Sequence, residues 1–393
     1  MLRKTRLGYQ IGLIGFARVT TLARLVPRLA SISWRRAARL LVLVLGSILP
    51  APLRAWEWLC HERRIRATAI TEAPIFIIGH WRSGTTHLHN LMSMDPRLGA
   101  LRMFQTLSPD CSVSTRGWLP GLLGRIVPRK RPMDEMDWPM DAPQEEEIAL
   151  AKMTPYSWYL AFLFPRQAVA SFDRFVLFDG AHAGANARIA REVEACLLRI
   201  YRIATLHECG RRLLLKNPVN TCRIPLLLRL FPDAKFIFIH RSPHEVFHST
   251  LHLHRQILDL TALQETSDAD IEANVIALHQ RVTATYLRDR ILIPAGNLVE
   301  VAFAALTATP EATLREIYTQ LQLPGYDDAQ LPMAAHLAAK RNYQRNSFAK
   351  AHDKQQLVES VWRHDFSVWG YACATQDGAP AGEPQLPHKS STA

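Results

Sequence analysis

The apolar positions of this chain alternate between two textures. Short apolar runs, IFII at 75–78, RLLLK at 212–216 and AKFIFIH at 234–240, show no polar alternation, and the first and last carry β-branched and aromatic residues. Such runs predict strands covered on both faces, as in a parallel sheet. Elsewhere apolar residues recur at helical spacing, over about 86–94, 187–208, 243–263, 270–289 and 311–322. The stretch TCRIPLLLRLF reads as a short crossover helix between two strands, and NLVEVAF near residue 300 as a further strand. Strand, crossover and strand predict a three-layer α/β fold with a parallel sheet. Residues 108–146 break the rhythm with many Pro and Gly, and a connection that long commonly shapes a site.

Before residue 70 the pattern changes again. Arginines interrupt apolar, Trp-containing stretches, and residues 1–70 hold 13 Lys/Arg against 2 Asp/Glu. The whole chain of 393 residues has a formal net charge of +12, so the remainder, with 34 basic and 33 acidic residues, is about neutral. The body therefore has no call for a polyanionic partner such as nucleic acid. The longest uncharged run of the basic segment, Leu40 to Leu53, is 14 residues, short of the about 20 needed to span a bilayer. Basic apolar helices suit the surface of an anionic membrane, and peripheral contact is the expectation. A helical hairpin packed on the body, its arginines solvated, is the alternative. Six scattered cysteines without a C-x-x-C pair point to reduced thiols and a cytoplasmic setting, and the C-terminal residues 375–393 have the composition of a disordered tail. The sequence thus divides into a basic helical segment (1–70), a body (71–374) and that tail.

The chemistry concentrates where the first strand ends, in IFIIGHWRSGTTHLHNL. Gly79 and Gly84 are five apart, as in a nucleotide triphosphatase phosphate loop, but Thr85 stands where that loop needs lysine. A glycine loop entering a helix directs backbone N–H groups and the positive end of the helix dipole at one anion. With Arg82 inside the loop and hydroxyls at Thr85 and Thr86, the cation has moved toward a shorter anion than a triphosphate. A second anion site follows the strand FIFIH. There Arg241 closes the strand, Pro243 opens a helix, and Ser249 lies nearly two turns along it.

These motifs resemble those of the large bacterial-type sulfotransferase family that uses 3′-phosphoadenosine 5′-phosphosulfate (PAPS). The family's G-x-P-R-S-G-T-T is similar to Gly79–Thr86 here, with Trp81 in place of proline. Its R-[DS]-P with a serine eight residues after the arginine resembles Arg241-Ser242-Pro243 and Ser249. Its L-K-x-P and F-P-D-A elements resemble Leu215–Pro218 and Phe231–Ala234, and its P-x-E-[DE]-E element resembles Pro143–Glu147. The likeness covers about residues 72–350. It implies a P-loop-like core in which Arg82, Ser83, Gly84, Thr85 and Thr86 hold the 5′-phosphosulfate, and Arg241 and Ser249 the 3′-phosphate. It further implies no required metal, with Arg82 and Lys216 acting on the transferring sulfuryl group.

A hydroxyl acceptor needs a base. Cytosolic animal sulfotransferases place a histidine after their strand lysine, where this chain has Asn217 and Pro218. Glu145 is the first candidate and Glu146 the second, from the run Glu145–Glu147; His80 and His87 are the alternatives. His244, His248 and His252, at i, i+4 and i+8, read as a polar helix face rather than a zinc site. The expected activity is sulfuryl transfer to a lipid-like or small-molecule hydroxyl. The competing classes are a P-loop small-molecule kinase and a non-catalytic nucleotide-binding protein at a membrane.

Overall fold

The computed structural model describes residues 15–130, 136–179, 183–339 and 354–373. The expected tail, 375–393, and the first 14 residues of the basic segment lie outside the described residues. Three helices open the described chain: α1 (Val19–Leu25), α2 (Ala37–Ile48) and α3 (Ala51–Ala67). The turn at Leu49–Pro50 separates α2 from α3, because proline cannot donate to the helix ladder but fits the start of a new one.

The body then builds a five-stranded sheet. Strand β1 (Ile75–Ile78) leads through the glycine loop into α4 (Thr85–Met92), and β2 (Leu98–Ala100) follows. The long connection after β2 is not structureless. It contains α5 (Leu119–Ile126) and ends in α6 (Glu146–Met153), after which α7 (Ala183–His207) runs back along the sheet. Strand β3 (Arg212–Lys216), α8 (Ile224–Leu230) and β4 (Lys235–His240) form the crossover unit expected from the sequence. Helices α9 (Pro243–Thr261) and α10 (Asp268–Asp289), strand β5 (Leu298–Ala302), α11 (Pro310–Gln320) and α12 (Tyr326–Ala339) follow, and two short helices, α13 (Gln355–Val361) and α14 (Arg363–Trp369), come after them.

The strands are all parallel, in the order β2-β3-β1-β4-β5, with Phe76 of β1 opposite Leu215 of β3 and Phe236 of β4. Alternate residues face opposite layers, so one buried face holds Ile75, Ile77, Ile237 and Ile239 under α4 and α11. The other holds Phe76, Ile78, Leu215 and Phe236 under α7, α8 and Tyr286 of α10. Both faces are dry, which explains the unbroken apolar runs.

The central strand β1 sends its helix to one face, while α9, following the adjacent β4, packs on α10 across the other. Neighbouring strands whose connections part in this way leave a crevice at their carboxyl ends, where ligands of open α/β sheets bind. The glycine loop, Lys216 at the end of β3 and Arg241 just past β4 all lie on that one edge.

The N-terminal arginines are not simply solvated. Arg18 donates to Asp110 (2.6 and 2.9 Å), Arg24 to Glu192 (2.7 and 3.0 Å), and Arg39 to the carbonyls of Ala262 and Asp259 (2.7 and 2.9 Å). The basic segment is thus tied to the body by its charges. All six cysteines are free thiols.

Candidate active site

The loop after β1 has room for nothing but glycine at its two ends. Gly79 has φ +142°, and a Cβ there would come within 2.4 Å of the carbonyl oxygen of Ile239 on β4. At Gly84, φ +105°, a Cβ would meet the ring of Phe303 at 2.2 Å. The loop therefore lies against its neighbouring strand with its backbone close to the crevice, a shape suited to an anion cradle. Thr221 pins its start, accepting from the Gly79 N–H at 2.8 Å and donating to the Gly79 carbonyl at 3.0 Å. Ser83 is buried and donates back to the His80 carbonyl at 2.8 Å.

Arg82 sits in the left-handed region at φ +69°, a strained conformation for a side-chain-bearing residue. Its Nε donates to Ser249 Oγ on α9 at 2.8 Å. Arg241 in turn donates from Nη1 to the Arg82 carbonyl at 3.3 Å, lies over the Phe303 ring at 4.7 Å, and pairs with Glu245 at 2.7 Å. The two candidate anion sites, more than 150 residues apart in sequence, thus meet at Arg82, which contacts both Ser249 and Arg241 across the β1/β4 crevice.

At the end of β3, Lys216 is 2% exposed and faces the loop, donating from Nζ to Thr86 Oγ1 at 3.2 Å and to the carboxylate of Glu145. Glu145, at the N-cap of α6, also accepts from the hydroxyl of Tyr159. Burial and the Glu145 charge push the Tyr159 hydroxyl well above its ordinary pKa, so it stays a donor. Lys216, Glu145, Thr86 and Tyr159 form one hydrogen-bonded cluster beside the loop.

The structure separates the three adjacent glutamates. Glu146 is fully buried and accepts from Tyr201 (3.1 Å) and Asn220 (2.5 Å), on the side away from Lys216. Burial pushes its pKa up to about 7. Glu147 is also fully buried, where desolvation alone would raise its pKa, but Arg223 at 2.6 Å, with Ser157 and Asn217, holds it below the usual value. Of the carboxylates singled out from sequence, the structure brings Glu145 to the loop and Lys216, and places Glu146 with Tyr201.

The histidines fall elsewhere. His80 turns beneath the loop onto His279, ring centroids 4.4 Å apart, and burial lowers its pKa well below the ordinary value. His87 points its ring edge toward Phe303, centroids 6.4 Å apart. His244 pairs with Glu359 at 3.1 Å, and among the described residues no group of three or more His, Cys, Asp or Glu could hold a metal.

Trp81, which replaces the motif's proline, is buried against Trp158 at 4.7 Å between ring centroids. It thereby packs the loop onto the aromatic segment that carries Tyr159. Tyr159, Arg223 and Asn220 were not singled out by sequence reasoning. The one local signal was Arg223, a charge inside an otherwise apolar run that needed a buried partner.

A model described as the sulfotransferase family matches residues 74–328. The chain belongs to the sulfotransferase family. Curated relatives named omega-hydroxy-beta-dihydromenaquinone-9 sulfotransferase Stf3, from Mycobacterium bovis and Mycobacterium tuberculosis, are 29% identical over 335 residues, spanning 85% of this chain and 84% of theirs. Among solved structures, sulfotransferase STF9 from Mycobacterium avium superposes with a TM-score of 0.61 at 18% identity, covering 80% of this chain and 81% of its own. STF1 from Mycobacterium tuberculosis gives 0.56 at 19%, covering 85% and 88%. These two share the fold of this sulfotransferase: a parallel α/β sheet with flanking helices.

Proposed function

We propose that this sulfotransferase moves a sulfuryl group from PAPS to a hydroxyl of a lipid-like acceptor, with Glu145 as the base. The observation that carries the proposal is the placement of Lys216 and Glu145 at the sheet edge, against Thr86 of a loop whose Arg82 contacts Ser249 and Arg241. The donor's two anionic ends match the two cationic sites. Arg82, Ser83, Gly84, Thr85 and Thr86 take the 5′-phosphosulfate, and Arg241 with Ser249 the 3′-phosphate. The acceptor oxygen attacks sulfur, and the bond from sulfur to the bridging phosphate oxygen breaks. The acceptor proton passes to Glu145, while Arg82 and Lys216 offset charge on the transferring group and on the leaving 3′,5′-adenosine bisphosphate. Tyr159 orients Glu145. Nothing in the scheme calls on a metal, because the lysine and Mg²⁺ of a triphosphatase loop serve a γ-phosphate absent from this donor.

A lipid-like acceptor is supported by the relatives named for a hydroxylated menaquinone and by the apolar basic helices α1–α3. Those helices also support peripheral contact with the inner face of a membrane, reached from the cytoplasm.

The test is thermal stabilisation followed by transfer. 3′,5′-Adenosine bisphosphate raises the melting temperature, whereas ATP with Mg²⁺ leaves it unchanged. Labelled sulfuryl then passes from PAPS to a long-chain alcohol. Stabilisation by ATP–Mg²⁺ alone would instead indicate a kinase, and bisphosphate binding without transfer to any extract a non-catalytic protein.

A further inference from the structure

Thirteen of the sixteen large apolar side chains exposed among the described residues fall in two stretches, 19–59 and 118–126. On α2 the outward stripe is Leu41, Leu45 and Ile48, continued by Leu49 at 72% exposure. The inward positions Leu43 and Ser47 are buried. Apolar side chains thus lie on both the inward and the outward face, unlike the usual surface helix, whose apolar stripe faces the core alone. Past Pro50 the outward face of α3 continues with Trp56 and Leu59, exposed by 59% and 70%.

Helix α5 lies alongside. Its Leu119 and Leu123 are buried in a cluster that also takes in Leu53 of α3, while Trp118, Leu122 and Ile126 remain exposed. An apolar groove of about 240 Å³ runs between α1 and α2 down to Leu163 and Phe164. Val19, Val26 and Ile48 line it and are themselves exposed, so it opens on the same apolar face. Exposed basic side chains lie on and beside these elements in the chain: Arg35, Arg63, Arg64, Arg116, Arg125 and Lys130.

We propose that α2, α3 and α5 form a single membrane-seating face, lying in the plane of an anionic bilayer. The proposal rests on the peripheral contact suggested above and specifies its face and orientation. The bilayer is favoured as the occupant by charge: a tryptophan- and leucine-rich surface on elements that also expose arginines complements acyl chains beneath anionic headgroups.

By length and composition Ala38–Ala67 is a candidate span, but its second half is fastened to the body. Glu57 is fully buried and accepts from the N–H groups of Val113 (2.9 Å) and Ser114 (3.0 Å), and Glu62 pairs with Arg199. Drawing α3 across a bilayer would break these contacts and leave the Val113 and Ser114 N–H groups and Arg199 short of partners. In-plane seating keeps all of them. It also sets the α1/α2 groove at the membrane, and Leu163 and Phe164 at its floor adjoin the segment that carries Tyr159.

The test uses the full chain and vesicles of phosphatidylcholine with or without phosphatidylglycerol. The wild type sediments with the anionic vesicles, its tryptophan emission shifts to the blue, and high salt weakens binding several-fold. A Leu45→Glu/Trp56→Glu double variant loses at least about tenfold in partitioning, since it removes apolar contact and adds like charge. Its melting temperature and its stabilisation by 3′,5′-adenosine bisphosphate stay at wild-type values, which shows that fold and donor site are intact. Arg63→Glu/Arg64→Glu loses mainly the salt-sensitive part. Equal sedimentation of the Leu45/Trp56 variant would overturn the proposal. So would retention of the wild type on membranes through an alkaline carbonate wash, which indicates a span. A wild-type dimer that the same variant dissolves would assign the face to a second copy of the chain and also overturn it. Failure of the bisphosphate to stabilise wild type would sink the donor assignment alone, leaving the vesicle result standing.

Discussion

The two sides of the crevice are built on opposite plans. On the loop side, Arg82, Thr86 and Arg241 are only partly buried; Arg82 donates to Ser249, and Arg241 donates to the Arg82 carbonyl and pairs with the exposed Glu245. Such contacts are readily exchanged for a phosphate oxygen. On the carboxylate side, Lys216 and Tyr159 are buried around Glu145, and Glu146 and Glu147 are closed off completely. One side is partly open to solvent and held by exchangeable contacts. The other is fixed in advance, with each carboxylate's environment decided by its partners. Substitutions on the first side should therefore alter donor affinity, and those on the second turnover or stability.

The largest expected effect is at Glu145. Glu145→Gln keeps the shape and the Tyr159 hydrogen bond but removes the base, so kcat falls by about 10²–10⁴-fold with the bisphosphate Kd unchanged. A parallel loss of donor affinity would erase the distinction between the two sides. Next is Glu147→Gln, which leaves the Arg223 guanidinium buried without its counter-charge. Denaturant melts should show a loss of about 3–5 kcal/mol, and a loss below about 1 kcal/mol would mean that the pair is not closed to water.

Glu146 gives a pH signature. Its folded pKa, about 7, lies above its unfolded value, so its protonated form stabilises the fold below about pH 4.5. That contribution is lost as pH rises through 7, a relative change of about 3 kcal/mol. The stability of wild type minus that of Glu146→Gln should thus fall between pH 4.5 and 7, and a rise over that interval would refute the assignment. The smallest effect is at the donor side. Arg241→Ala should weaken bisphosphate binding by about 1.5–3 kcal/mol, the range for a charged hydrogen bond, with an unchanged melting temperature for the free protein. Unchanged affinity would remove Arg241 from the 3′-phosphate site.

Much of this architecture was legible in the sequence because the relevant forces are local. β1, β3 and β4 showed as unbroken apolar runs, since both of their faces are covered, and Pro243 marked the start of α9. Strand β2 passed unseen because Leu98-Gly99-Ala100 is short and lacks β-branched residues; pairing with β3, not propensity, makes it a strand. The carboxylate run was visible, but the fates of its members were not. Successive residues entering a helix turn by about 100° each, and their partners, Lys216, Tyr201 and Arg223, lie 55 to 76 residues away. The basic N-terminal segment showed its composition but not its attachments, because Asp110, Glu192 and the Ala262 carbonyl are its partners only in the folded chain. Trp81 read as a departure from a motif. In three dimensions it joins the loop to the Tyr159 segment.

The most direct test is the structure of the protein crystallised with 3′,5′-adenosine bisphosphate. The 5′-phosphate should lie within hydrogen-bond distance of the loop from Arg82 to Thr86, with the 3′-phosphate on Arg241 and Ser249 and the nucleotide spanning the β1/β4 crevice between them. A nucleotide bound at any other edge of the sheet, or one whose 3′-phosphate touches neither Arg241 nor Ser249, would contradict the account.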